Sequence, residues 1–231
     1  MKLAIMQPYF LSYIGYFQLI HAVDKYVIYD DVNYIKQGWI NRNRLLLNNQ
    51  EFMFTLPLYG ASSFKKINEV EIDITKYKTK FLKTITQAYK KAPFFSNVFP
   101  IIETIISNTE KNLAKFLIVS LKKILFYLEI TTPLLISSNI EKDNELKAQD
   151  KVIHICNKLE CDTYINAIGG KNLYNTSTFL EHNISLMFLK TNPIVYKQFD
   201  NNFIPQLSIM DVMMFNSKET IKDMLDNFSF V

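Results

Sequence analysis

Apolar positions along the chain fall into short blocks with two alternating kinds of spacing. Leu3 to Met6 is a brief apolar run ended by Gln7-Pro8, the pattern of a buried strand. Tyr13 to Val23 sets Ile14, Phe17, Leu19, Ile20 and Val23 on one helical face. Lys25 to Tyr29 returns to β-forming residues and ends in the carboxylate pair Asp30-Asp31. Strand, helix, strand in so short a span predicts a βαβ unit, with parallel pairing and a right-handed crossover. Phe52 to Pro57 and Val70 to Ile74 are further strand candidates. From Lys76 to Tyr89 the spacing is helical, with Phe81, Ile85 and Ala88 in register, until Pro93 breaks it. Helices follow at 101–107 and 112–128. The alternation then resumes: strand Leu134 to Ser137, amphipathic helix Glu145 to Leu159, strand Thr163 to Asn166, helix Leu173 to His182, strand Ile184 to Leu189. Ser208 N-caps a helical tail that runs to Phe215. The fold class expected is α/β: a mostly parallel three-layer sheet in one domain over 1–231, with a helical insertion at about 76–128.

Composition sets limits without naming a chemistry. The chain has 231 residues, 48% of them hydrophobic, enough for a large core without disulfide or metal staples. The net charge of +4 specifies no nucleic-acid partner and favours phosphorylated ligands only weakly. Two cysteines, Cys156 and Cys161, are too few for a cysteine zinc site and are expected reduced, one on a helix face and one near a loop. No secretory signal is evident, and the most apolar stretch, Phe116 to Leu128, holds Lys122 and Lys123. A cytoplasmic protein with no direct membrane insertion is the expectation.

Open sheets of this class bind ligands at the carboxyl ends of their strands. Three predicted ends carry polar residues: Gln7-Pro8-Tyr9, then Asp30-Asp31 followed by Asn33, Tyr34 and Lys36, then Asn166 followed by Gly169-Gly170. Convergence would give one cleft lined by amide, carboxylate, ammonium and backbone donors. Lys36 to Arg44 is the densest segment, with Lys36, Arg42 and Arg44 around the chain's only tryptophan, Trp39, and with Asn41 and Asn43 between. Arginine grips phosphate or carboxylate with two parallel hydrogen bonds, and an indole face stacks on a base or sugar. The structural alternative is a solvated basic loop with Trp39 as a core anchor. Asp30 and Asp31 could bind a metal, act as a general base, or simply end a strand. Gly169-Gly170 reads first as a tight turn, with a backbone cradle for a phosphate or oxyanion as the alternative. His21, His154 and His182 fit structural roles, and no metal site is expected.

Gln7-Pro8-Tyr9-Phe10, Tyr13-Ile14-Gly15-Tyr16-Phe17, Tyr29 to Tyr34 and Gly38 to Arg44 closely resemble, in order and spacing, the N-terminal signature of the WbqC-like family. Thr163 to Asn166 with Gly169-Gly170 and Tyr174 is similar to that family's second block, and Leu207 to Asp211 to a third. Ser12 departs from the pattern, which expects proline. The resemblance implies a transferase in bacterial O-antigen or lipopolysaccharide biosynthesis. It would move an aminoacyl (glycyl-type) or acyl group onto the amine of a nucleotide-linked amino sugar. A carrier protein, a tRNA or another thioester would be the activated donor, and nucleic acid enters only in that role. On this reading Lys36, Arg42 and Arg44 hold phosphates, Trp39 stacks, Asp30 or Asp31 accepts the proton, and Asn166 with the Gly170 backbone polarises the carbonyl. Gln7, Tyr13, Tyr16, Tyr34, Asn41, Asn43 and Gly169 complete the substrate site. Arg42 and Asp31 should meet in one cleft, with an anion beside the guanidinium. Tyr13 to Tyr16 also sits where the HIGH motif sits in Rossmann-like nucleotidyltransferases, with tyrosine at both histidine positions. Nucleotidyl transfer and non-catalytic binding are the alternatives.

Overall fold

The computed structural model describes residues 1–75, 77–199 and 202–231. Its centre is a six-stranded sheet in the order β10-β9-β8-β1-β2-β7. The strands are β1 (Lys2–Met6), β2 (Lys25–Ile28), β7 (Leu134–Ile136), β8 (Thr163–Ala167), β9 (Ser185–Thr191) and β10 (Phe228–Phe230). All pair in parallel except β10, which runs antiparallel to β9. The expected mostly parallel, Rossmann-like α/β sheet is therefore present.

The apolar runs of β1 and β2 are buried on both faces, which is why they lack strict alternation. Leu3, Ile5 and Val27 pack with Val152, Ile155 and Cys156 of α5 (Ala148–Lys158) and Phe179 of α6 (Thr176–Glu181). Ala4, Tyr26 and Ile28 face the other way, onto a larger core with α1 (Ile14–His21). Helix, sheet and helix give three layers.

The chain steps from β1 to β2 to β7, then crosses back through α5 to β8 on the far side of β1. This reversal opens a crevice between the carboxyl ends of β1 and β8, the usual place for a ligand in such sheets. Gln7 and Asn166 lie there.

The long β2-to-β7 connection holds two small antiparallel ladders and three helices. The ladders are β3 (Arg42–Leu47) with β4 (Gln50–Thr55), and β5 (Leu58–Tyr59) with β6 (Glu71–Ile72). The helices are α2 (Tyr77–Tyr89), α3 (Phe95–Ile106) and α4 (Leu113–Tyr127). They share the core of α1, α7 (Ile209–Phe215) and α8 (Lys218–Leu225). The helical start expected at Lys76 lies outside the described residues. The strand candidates at Phe52 and Val70 fall in the small ladders and not in the main sheet. β3 went unpredicted because Arg42-Asn43-Arg44 has the polarity of a loop. In fact its side chains alternate, with Asn43 and Leu45 buried and both arginines half-buried. Ser208 caps α7 as expected: its Oγ accepts from Met210 N–H at 3.2 Å and donates to Leu11 O at 2.7 Å.

Candidate functional site

The three polar strand ends of the sequence do share one edge of the sheet, because β2 and β8 both pair with β1. Beyond β1, the buried Tyr16 hydroxyl donates to Gln7 O at 3.0 Å, and Tyr9 OH reaches toward Gln7 Oε1 at 3.5 Å. Beyond β8, Asn166 Nδ2 donates to Tyr164 OH at 2.7 Å and to Tyr174 OH at 3.0 Å. Gly169 and Gly170 lie in a 3-10 helix, Ile168–Leu173, and not in a tight turn. A Cβ on Gly170 would stand 3.0 Å from Asn166 Oδ1, so the missing side chain lets this helix close on the asparagine. Gly169 faces open space.

The two carboxylates diverge. Asp30 accepts from Ser138 N–H at 2.9 Å, Ser138 Oγ at 2.7 Å and Asn68 Nδ2 at 3.3 Å, so both of its oxygens are engaged. Asp31 turns into a buried ion cluster. Its Oδ2 lies 2.8 Å from Lys142 Nζ and 3.8 Å from Lys151 Nζ, and these lysine side chains are only 2% and 8% exposed. Burial pushes the Asp31 carboxyl up, but Lys142, Ser137 and Lys151 outweigh it and hold it below its ordinary value. Ser137 lies against Asp31, yet among the described residues no well-formed hydrogen bond reaches Asp31 Oδ1 or Ser137 Oγ. Among the described residues no group of three His, Cys, Asp or Glu side chains could hold a metal ion.

The basic segment builds a different wall. Trp39 is 42% exposed, so it is no core anchor. The guanidinium groups of Arg42 and Arg44 lie 5.6 and 5.1 Å from its ring centre, a double cation–π arrangement. Among the described residues no anion stands beside Arg42 as expected: Nε donates to Gly38 O at 2.8 Å and another guanidinium nitrogen to Gln37 O. Asp31 takes lysines instead, so the expected Arg42–Asp31 pairing does not form. Arg44 pairs with Glu51 at 2.9 Å and donates to Gln206 O at 3.3 Å, while its buried Nε finds no partner among the described residues. Asn41 and Asn43 are framework residues. Asn41 accepts from Tyr34 OH and donates to Leu56 O, both at 2.8 Å. Asn43 donates to Leu11 O at 2.8 Å, fixing β3 to the turn after β1. Lys36 is exposed on the preceding loop.

Trp39, Asn43 and Arg44 enclose a 220 Å³ cavity with Tyr9, Ser12, Tyr13 and Gln206. Tyr9 thus links this cavity to Gln7 at the strand ends. Burial raises the Tyr9 and Tyr13 hydroxyls above their ordinary value, so both stay protonated at neutral pH. A second cavity of 500 Å³ adjoins the first, sharing Tyr13 and Gln206, and continues over Ile14, Ile194, Val195, Phe203 and Leu207. Sequence reasoning placed Tyr9 at a strand end of the cleft but missed Ser12 and Gln206 as wall residues, and Lys142 and Lys151 as partners of Asp31. Only Lys151 carried a signal, since it lies four residues before Ile155 on the apolar stripe of α5.

A profile of the WbqC-like protein family matches residues 7–223. The chain is 28% identical to "Uncharacterized protein Rv1507c" of Mycobacterium tuberculosis (strain ATCC 25618 / H37Rv) over 215 residues, 92% of each chain. No solved structure gives a significant match.

Proposed function

We propose that this chain, which belongs to the WbqC-like protein family, transfers an aminoacyl or acyl group to the amine of a nucleotide-linked sugar during surface-polysaccharide assembly. The observation that carries this reading is the pair of adjoining cavities with Tyr13 and Gln206 as a common wall. One offers an indole face and a guanidinium, suited to a ring and its phosphates. The other is largely apolar, suited to the arm of a thioester donor. Two substrates that meet across a shared wall are what a group transfer requires.

The step balances without a carboxylate in the cavity. The amine nitrogen bonds to the acyl carbon, the carbon–sulfur bond breaks, and the departing thiolate takes up the proton released by nitrogen. Holding the amine against the thioester supplies most of the advantage. Incubating the protein with glycyl and acyl thioesters and amino-sugar nucleotides, then weighing the products by mass spectrometry, tests this directly. The expected result is a mass gain on the sugar nucleotide that is lost in Trp39→Ala. No gain across the panel overturns the transfer.

A non-catalytic binding role is favoured by a different observation. Among the described residues no carboxylate lines the Trp39 cavity, and Asp30 and Asp31 are engaged elsewhere. Trp39 is the only tryptophan, so its fluorescence reports occupancy. Quenching by a sugar nucleotide with no product formed selects this second reading. Pyrophosphate release from a nucleoside triphosphate instead selects nucleotidyl transfer.

A further inference from the structure

The 500 Å³ cavity beside the Trp39 site offers a ligand few free polar groups. Its walls are mostly apolar, with Ile14, Ile194, Val195, Phe203 and Leu207 among them. Three of its polar side chains are turned to partners inside the protein. Tyr196 OH donates to the Asp211 carboxyl at 2.6 Å. Thr191 Oγ1 donates to Gln18 Oε1 at 2.7 Å. The Asn192 amide donates to Asn227 Oδ1 and accepts from Ser229 Oγ, both at 3.2 Å. Asp211 lies behind this wall, fully buried. It also accepts from Gln198 Nε2 at 2.7 Å and Tyr89 OH at 2.8 Å, so it is closed to a ligand.

Charge adds a second constraint. Among the described residues no Asp or Glu lines this cavity or the adjoining Trp39 cavity. The charged side chains that do line them are cations, Lys190 in the one and Arg44 in the other. Lys190 is exposed and makes no ion pair among the described residues. Glu51, which pairs with Arg44, lies outside both linings.

We infer that the donor site takes an uncharged, apolar acyl thioester and not an aminoacyl one, an assignment that rests on the transfer reading above. A glycyl group would bring an α-ammonium to the wall of Tyr13 and Gln206 that the two cavities share. On either side of that wall it would meet a cation and no counter-ion. Taking such a charge out of water unpaired is costly. An acyl chain carries no charge to desolvate, and each methylene laid against the apolar wall adds to binding. A cavity of this size also holds a far larger ligand than a glycyl group. The bond changes are those of thioester aminolysis. Nitrogen bonds to the acyl carbon, the carbon–sulfur bond breaks, and the departing thiolate takes up the proton.

Thioesters of pantetheine test this, because pantetheine carries no nucleotide to compete for the Trp39 cavity. Propionyl and glycyl groups have the same shape, with a methyl group in the place of the ammonium. Isothermal titration without acceptor measures binding, and mass spectrometry with amino-sugar nucleotides measures transfer. The expected result near neutral pH is binding at least about tenfold tighter for propionyl, with faster transfer. Hexanoyl should bind tighter again, by about fourfold for each added methylene. The preference for propionyl over glycyl should shrink as pH rises past about 8, where an α-amine loses its proton. Lys190→Glu should narrow it by up to about fivefold, because a carboxylate then faces the ammonium. Glycyl bound and transferred as well as propionyl overturns the inference while upholding the transfer. So does a lack of gain from propionyl to hexanoyl, or a preference that neither pH nor Lys190→Glu moves. Binding in the expected order with no transfer to any amino-sugar nucleotide upholds the ligand class and overturns the transfer. No binding of any thioester overturns both.

Discussion

At the scale of the residue, Asp31 shows how one position can carry two opposite expectations. A general base should tolerate Asp31→Asn in its fold and lose turnover. The ion cluster implies the reverse, because the amide would leave Lys142 and Lys151 buried without a counter-ion. Removing one partner of a buried pair typically costs about 3–5 kcal/mol. Asp31→Asn should therefore lower the melting temperature sharply, and adding Lys151→Met should recover part of the loss. An unchanged melting temperature for the single variant would reopen the catalytic reading. The pH dependence has a definite sign. The folded Asp31 carboxyl lies below its ordinary value, so its contribution is complete above the ordinary carboxylate range and fades as pH falls through the folded value. Urea unfolding across the acid range should show a limb that flattens in Asp31→Asn.

At the scale of the element, the first turn of α1 positions one wall of both cavities. Glycine inside a helix normally costs about 1 kcal/mol relative to alanine. Gly15 reverses that expectation, because a Cβ there would stand 2.4 Å from the Tyr13 ring and 2.5 Å from Thr191 Oγ1. Thr191 in turn donates to the buried Gln18 at 2.7 Å. Gly15→Ala should destabilise by about 1–3 kcal/mol in denaturant titration, and it should weaken Trp39 quenching by displacing Tyr13. The elements of the central sheet were legible because Leu3 to Met6, Tyr26 to Tyr29 and Thr163 to Asn166 need burial on both faces, and such runs admit little else. Strand β3 was not legible, though its partner β4 was expected from Phe52, because the inward residues of β3 include Asn43, whose reason for burial is a carbonyl more than thirty residues away. The same limit hid the cavity. Gln206 reaches Arg44 across 162 positions, and no local pattern announces such a contact.

At the scale of the whole molecule, the site belongs to the topology as much as to any motif. The chain's reversal beside β1 creates the crevice, and the β2-to-β7 connection folds the Trp39 hairpin back toward it. A ligand that binds only the folded state should raise the melting temperature, by about 2.7 kcal/mol of stability at a hundredfold excess over Kd. Arg44→Lys should reduce this gain with sugar nucleotides, since the planar fork is lost while the charge stays. The central place of β1 also has a consequence during synthesis. One edge of that strand finds β2 almost at once, but the other is completed only by β8, at residues 163–167. Until the ribosome has delivered those residues, the nascent chain carries an open row of amides and carbonyls along its most apolar strand. Such an edge invites pairing with other chains. Chains stalled before β8 should therefore aggregate or recruit chaperones, and those released after the last strand should not.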